Sequence, residues 1–179
     1  MAVANLSPTL KKTNMKTVTL LLLLVALPLV TVGCFTSRAK PVPWNVSIIK
    51  HTTATIEVDL VGVTPLEKLQ WMNGVKPGDY WKPNNSLRKG VNKSSKNLET
   101  GKAWVLKKED RIWKDWLKKG ATDLMIMANL PGNFEDSGPF DRRRVFIPLG
   151  KNKWKKPKDK TIEIEVQDGI INVLTPQKL

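Results

Sequence analysis

An apolar segment that ends at the only cysteine of this 179-residue chain limits what the rest of it can fold into. The segment runs from Thr17 to Cys34, follows the basic Lys16, and is most apolar from Leu20 to Val32. A basic residue, a short apolar stretch and small residues, in that order, are typical of a removable secretory signal rather than of part of a fold. We therefore expect residues 1–33 to be a signal peptide. The fold must then form from the remaining residues without a disulfide, because no second cysteine exists.

The position of Cys34 directly after this segment resembles the lipobox of bacterial lipoproteins. The resemblance implies that the thiol is acylated, that cleavage occurs before it, and that Cys34 becomes a lipidated N-terminus. The place three residues before the cysteine, where a lipobox usually has Leu, holds Thr31. The alternatives are ordinary cleaved secretion and a retained anchor, although the apolar stretch is shorter than the roughly 20 residues that span a bilayer.

Two further features of the N-terminal region bear on location. Phe35, rather than Asp, follows the cysteine, and the sorting preference of lipoproteins then implies the periplasmic face of the outer membrane. Met15 followed by Lys16 is typical of a conventional start, so both Met1 and Met15 are candidate first residues.

A strong positive charge characterises the chain, with 30 Lys and Arg against 16 Asp and Glu and a net charge of +14. Such a surface attracts polyanions, including lipid head groups, anionic envelope polymers and acidic protein partners. No recognised nucleic-acid motif is present, so we do not expect a nucleic-acid partner. A solvated basic surface without any specific ligand is the alternative.

Alternation of apolar and polar residues predicts that the mature chain is mainly β. Ile56, Val58 and Leu60 alternate with polar residues in one segment, and 161–167 repeats the pattern before a hairpin turn at Asp168-Gly169. The apolar run 123–130 indicates a central strand that is buried on both faces. We expect a tether over 34–43 and a single antiparallel β-sandwich over 44–179.

Two short helices are predicted in the connections between strands. One begins at Thr64 with a capping box completed by Glu67 and ends at Gly74, with Leu66 and Leu69, alone or together with Trp71 and Met72, on the side that packs on the sheet. The other covers 111–119, where Trp113 and Trp116 share a face that is typical of a core stripe.

Three groups of residues are candidate contacts for a partner or an anion. Tyr80 and Trp81 follow a Pro-Gly turn and either stack on a partner or plug the end of the core, which is the outcome we expect. Arg142, Arg143 and Arg144 either pair with nearby acids or form an anion or partner contact. The lysine-rich segment 151–160, which includes Lys153, Trp154, Lys155 and Lys156, either lies against anionic head groups or is a solubilising loop.

Catalytic and metal-binding patterns are scarce. His51 is the sole histidine, which leaves little material for a Ser-His-Asp arrangement or a multi-histidine metal site. A glycosidase-like carboxylate pair is formally available among Asp79, Glu135, Asp136 and Asp141, but no spacing singles out a pair. We therefore expect no enzymatic activity, no metal and no cofactor.

Taken together, four features resemble the outer-membrane lipoprotein of type VI secretion systems. They are the signal-anchored cysteine, the compact mostly-β domain, the helices between early strands, and the apolar strand D-L-M-I-M-A-N-L after a helix. The resemblance implies a transthyretin-like two-sheet sandwich that binds the periplasmic part of an inner-membrane partner and so holds a trans-envelope complex to the outer membrane. Among functional residues, it carries over only Cys34.

The expected function is therefore that of a non-enzymatic docking component in the envelope. The alternative is a basic module that binds anionic envelope polymers or lipid head groups. The residues of that alternative are Lys151, Lys153, Lys155, Lys156, Lys158 and Arg142 to Arg144.

Overall fold

The computed structural model describes residues 39–155 and 157–178. The predicted signal peptide, Cys34 and Lys156 lie outside these residues. The eight strands are β1 (Asn45–Lys50), β2 (Ile56–Val63), β3 (Ser94–Leu98), β4 (Trp104–Leu106), β5 (Asp123–Ala128), β6 (Arg144–Pro148), β7 (Thr161–Gln167) and β8 (Ile170–Val173). The four helices are α1 (Pro65–Gly74), α2 (Pro77–Tyr80), α3 (Ser86–Gly90) and α4 (Ile112–Lys118). None of these helices combines the length and the apolar character that crossing a membrane requires.

Two four-stranded sheets face each other across one apolar core. The first sheet has the order β4-β1-β7-β8, and the second has the order β3-β2-β5-β6. Alternate residues of both sheets, such as Ile48, Val58, Ile126 and Ile164, are fully buried in a single cluster. The period of two therefore gives each sheet one face for the core, and the predicted mainly β sandwich is confirmed.

One strand pair departs from the antiparallel expectation. β1 and β7 run parallel, and Val46 lies opposite Ile162 while Ile48 lies opposite Ile164. All the other strand pairs are antiparallel. A parallel pair needs a long crossover, which the whole second sheet supplies here, and periodicity within one strand carries no information about such a distant partner.

The two predicted helices correspond to α1 and α4, but α1 buries a different face from the one expected. Trp71 faces the second sheet and is 5% exposed, whereas Leu66 and Leu69 are 66% and 56% exposed. Leu69 precedes Trp71 by two residues, which places the two side chains on opposite sides of a helix. The expected packing of Leu66 and Leu69 is therefore wrong.

The second sheet has a second apolar layer on its outer face. Val61, Met125 and Met127 form a separate buried cluster with Trp71 of α1 and Tyr80 of α2. All six residues of β5 are consequently buried, which confirms the prediction of a strand covered on both faces.

The last residues assigned to the tether contact the edge of the sandwich. Pro41 forms a bridge with Gly150, and the Val42 N–H donates to the Leu149 carbonyl at 3.1 Å. Val42 also packs against the main core. The chain is therefore already attached to the fold two residues before Trp44.

Gly62 of β2 leaves space for Trp116 of α4, because a Cβ added there overlaps the Cβ and Cγ atoms of that indole side chain. We expect Gly62→Ala to lower the free energy of unfolding by about 3 kcal/mol, as overpacking does in a core. Gly74→Ala is the matched control, since nothing lies within 4 Å of an added Cβ there. Equal urea midpoints for both variants would contradict this packing.

Candidate functional site

The three consecutive arginines that lead into β6 have three different environments. Arg142 is exposed, whereas Arg143 and Arg144 are 7% and 6% exposed. Only Arg144 belongs to β6, while Arg142 and Arg143 lie in the turn before it, and the partners of Arg143 and Arg144 differ.

Arg143 is held by acids of the preceding loop. Its Nε and Nη2 donate to the two oxygens of Asp141 at 2.9 and 2.7 Å, and Nη2 also lies 2.7 Å from Asp136 Oδ1. Burial acts to raise the pKa of Asp141, but the hydrogen bonds and charge of Arg143 outweigh burial, and the net pKa lies below the ordinary value. The predicted internal pairing of this arginine is thus present in the structure.

Arg144 binds backbone carbonyls instead of carboxylates. Its Nη1 donates to the carbonyls of Trp71 and Val75, the latter at 2.8 Å. Its Nη2 donates to those of Met72 and Gly138 at 3.2 and 2.7 Å. Burial lowers the pKa of Arg144 from its ordinary value. This side chain supplies the cation that the last turn of α1 lacks, and it joins that helix end to the 138–140 turn.

Tyr80 and Trp81 are part of a buried polar network around Asp59. Tyr80 is fully buried and its hydroxyl donates to Asp59 Oδ2 at 2.7 Å, while Arg88 Nε donates to the same oxygen at 2.9 Å. Ser95 Oγ donates to Asp59 Oδ1 at 2.5 Å. Burial and the neighbouring carboxylate raise the pKa of Tyr80. The guanidinium carbon of Arg88 lies 4.3 Å from the centre of the half-buried Trp81 ring.

The alternation of β2 predicts that Asp59 lies on a solvent-exposed face. In the structure Asp59 is buried instead, and this network explains why. α2 and α3 cover that side of the strand and supply Tyr80 and Arg88 as donors, so the carboxylate is buried but paired. Tyr80 therefore plugs the core, which is the alternative that the sequence favours, and it is not available to a partner.

The lysine-rich segment divides into exposed cations and one buried ring. Lys153 and Lys155 are exposed, but Trp154 is 2% exposed and its indole N–H donates to the Pro148 carbonyl at 3.0 Å. Trp154 packs edge-on against Trp44, with ring centres 6.4 Å apart. The segment therefore presents lysines to solvent around a tryptophan that belongs to the core.

Exposed apolar side chains form a surface that the sequence analysis misses. Leu66 and Leu69 lie on the outer face of α1, and Phe140, in the turn that packs beside this helix, is 87% exposed. We call these three residues the α1 surface. The signal for it was available, because Trp71 and Val75 lie four residues apart and face the second sheet, and Leu69 falls outside that stripe of the helix.

Side chains arranged for catalysis or metal binding are sparse in the part of the chain that the structure describes. No set of three or more His, Cys, Asp or Glu side chains is placed to hold a metal ion there. The Nε2 atom of His51 lies 3.5 Å from Glu165 Oε1 at the surface. The pair of His51 and Glu165 does not resemble a nucleophile with its base or a general acid–base pair.

No protein-family model matches the chain, and no curated protein matches it. Three similar solved structures are components of type VI secretion systems. The C-terminal domain of the T6SS protein TssM from EAEC is 13% identical, with a TM-score of 0.48, over 73% of this chain and 99% of that one. The T6SS lipoprotein TssJ1 from Pseudomonas aeruginosa is 11% identical, with a TM-score of 0.37, over 76% and 99%. Lip from Serratia marcescens, a membrane-bound component of that system, is 12% identical, with a TM-score of 0.39, over 77% and 100%.

These likenesses concern the arrangement of the chain in space. TssJ1 is a lipoprotein of the system whose lipoprotein family the sequence resembles. The weak resemblance that the sequence predicts is thus also found among the solved structures.

The ion pair between Asp141 and Arg143 predicts an acid-dependent loss of stability. Because the pKa of Asp141 is lowered by folding, its contribution is present above the unfolded value of about 3.9 and is lost as pH falls through the lower folded value. At pH 7 we expect Asp141→Asn to lower the free energy of unfolding by about 2–3 kcal/mol. This difference from the parent chain should shrink in urea titrations as pH falls from 4 to 3.

The control for this pH series is Glu99→Gln, which removes an exposed partner of Lys102. Exposed pairs contribute little, so its effect should be small at every pH. An Asp141→Asn effect that stays constant from pH 3 to 7 would show that the charge of Asp141 is not what stabilises the loop.

Arg144 should be sensitive even to a substitution that keeps its charge. A lysine ammonium cannot reach carbonyls of both α1 and the 138–140 turn, so we expect Arg144→Lys to cost about 2 kcal/mol. Arg142→Lys, at the neighbouring exposed position, should change stability by less than about 0.5 kcal/mol. The measurement is the denaturant midpoint of unfolding of each variant. Similar midpoints for the two variants would contradict the role of Arg144 as the cap of α1.

Proposed function

We propose that this chain is a lipid-anchored, non-enzymatic docking component of the bacterial envelope, held at the periplasmic face of the outer membrane by Cys34. The observation that carries the proposal is the place of Cys34 directly after a signal-like segment and eight residues before Val42, which is attached to the sandwich. A short link between an acyl anchor and a folded domain raises the local concentration of any weak contact that the domain makes.

The α1 surface supports a docking role. Leu66 and Leu69 are exposed about one helical turn apart on α1, and Phe140 is exposed in the turn beside this helix. Exposed apolar side chains that adjoin one another are typical of protein interaction sites. We infer that the occupant is an envelope protein with an apolar centre and an acidic rim, because residues 34–179 contain 27 Lys and Arg against 16 Asp and Glu, a net charge of +11. The sequence resemblance to the lipoproteins of type VI secretion systems supports a subunit of that membrane complex as the occupant.

The test is photo-cross-linking in intact cells with a photoreactive amino acid in place of Leu69, followed by mass spectrometry of the products and of the Cys34 peptide. We expect one large inner-membrane protein and an acylated Cys34. Leu69→Asp should reduce co-purification of that protein at least about tenfold. Leu174→Asp should not, although Leu174 is similarly exposed at 49%.

Lipid anchoring through Cys34 and docking through the α1 surface are contradicted by different results. An unmodified Cys34 would contradict lipid anchoring even if the partner is recovered. Equal effects of Leu69→Asp and Leu174→Asp would contradict docking through the α1 surface even if Cys34 is acylated.

A second candidate function is binding of an anionic envelope polymer. The exposed Lys151, Lys153, Lys155 and Lys158 favour it, because no ion pair neutralises them within the described residues. Ionic strength separates the two functions, since polymer binding falls steeply with salt and an interface with an apolar centre falls little.

A further inference from the structure

A pocket of about 440 Å³ opens where the chain enters the sandwich. Its floor includes Val42, Trp44 and Trp154. Its rim carries the lysines Lys108, Lys151, Lys160 and Lys178. The volume lies within the range of sites that bind small molecules.

The floor of this pocket offers apolar surface and no free donor from its indoles. The N–H of Trp44 donates to the Leu149 carbonyl at 3.1 Å, and that of Trp154 donates to the Pro148 carbonyl at 3.0 Å. Both rings are thereby fixed and are only 4% and 2% exposed, so Val42, Pro43 and Pro157 supply the accessible apolar lining. A ligand gains contact area at this floor but no hydrogen bond from the indoles.

The lysines of the rim are positively charged and have almost no carboxylate partners. Lys108 Nζ lies 3.5 Å from Glu109 Oε1, and this is the one ion pair of the rim lysines among the described residues. Asp159 is exposed next to Lys160 but does not line the pocket. Four lysines that line one pocket without a carboxylate attract a compact anion such as a phosphate.

The position of the pocket in the chain indicates where such an anion comes from. Val42, in the floor, follows Cys34 by eight residues, a length of chain that spans at most about 28 Å. On the proposed anchoring, the pocket is thus kept near the head groups of the membrane that holds the acyl chains. An apolar floor within a cationic rim matches a phosphate that is attached to an acyl-bearing molecule better than it matches a free phosphate.

We propose that this pocket binds the phosphate head group of an anionic membrane lipid, with the lipid's apolar part against the lining of Val42, Pro43 and Pro157. The proposal rests on the lipid anchoring of Cys34 for its location. It adds a second, specific membrane contact that orients the sandwich on the bilayer.

The experiment uses the full chain in a non-ionic detergent and measures lipid binding by native mass spectrometry. The probes are phosphatidylglycerol, phosphatidylcholine and glycerol phosphate, which separate the anionic lipid, the zwitterionic lipid and the head group alone. The parent chain should bind phosphatidylglycerol at least about tenfold more tightly than either other probe, because only this probe has both the net negative charge and the apolar part.

The test variant is Lys151→Gln with Lys160→Gln, and its matched control is Lys114→Gln with Lys118→Gln on the exposed side of α4. Each lysine near an anionic lipid contributes about fivefold to binding, so the pocket pair should weaken phosphatidylglycerol binding about 25-fold. The control pair, which removes the same charge elsewhere, should change it less than about twofold. These surface substitutions leave the core intact, and a thermal melt checks that both variants fold.

Three results would overturn the proposal. Equal losses in the two double variants would assign the attraction to net charge. Equal binding of phosphatidylcholine would remove the role of the rim, and equal binding of glycerol phosphate would assign the pocket to a free phosphate. None of these results depends on acylation of Cys34, which the cell experiment measures separately.

Discussion

The burial of β5 on both faces is the constraint on which the rest of this structure depends. Leu124 and Ile126 face the opposing sheet, whereas Met125 and Met127 face outward and must also be covered. A simple two-sheet sandwich covers only one face of each sheet. The second face therefore requires α1 and α2, and these helices decide which polar side chains of the second sheet become buried.

The buried polar residues follow from that covering layer. Asp59 lies beneath it and is paired by Tyr80 and Arg88, and Arg144 passes under α1 to reach the carbonyls at the end of the helix. Asp59 and Arg144 are each accompanied by several hydrogen bonds, which is the condition under which a charge is tolerated inside a protein. The residues most prominent in the sequence as ligand candidates are thus occupied in holding the helical layer to the sheet.

The repeat of apolar residues predicted the local structure well but did not predict the distant contacts. The period of two in 161–167 matches β7 residue for residue, and the apolar run within 123–130 correctly indicated that β5 is buried on both faces. The parallel pairing of β1 with β7 was not predictable, because it joins segments more than a hundred positions apart. Four of the candidate contacts are buried: Tyr80, Arg143, Arg144 and Trp154. An arginine or an aromatic residue looks the same in a sequence whether its side chain contacts the interior of its own protein or a partner. The exposed α1 surface was missed because two leucines near the start of a helix usually indicate its buried side.

The parallel register of β1 has a mechanical consequence. β1 is the first strand after the segment that leads from Cys34, and it lies between β4 and β7 rather than at the edge of its sheet. A force applied through the N-terminal segment along the strand direction is thus shared by two rows of hydrogen bonds, which must shear together before the strand detaches. An edge strand pulled in the same direction would be held by one row of hydrogen bonds only. The chain therefore continues from its N-terminal segment into a strand that is hydrogen-bonded on both sides.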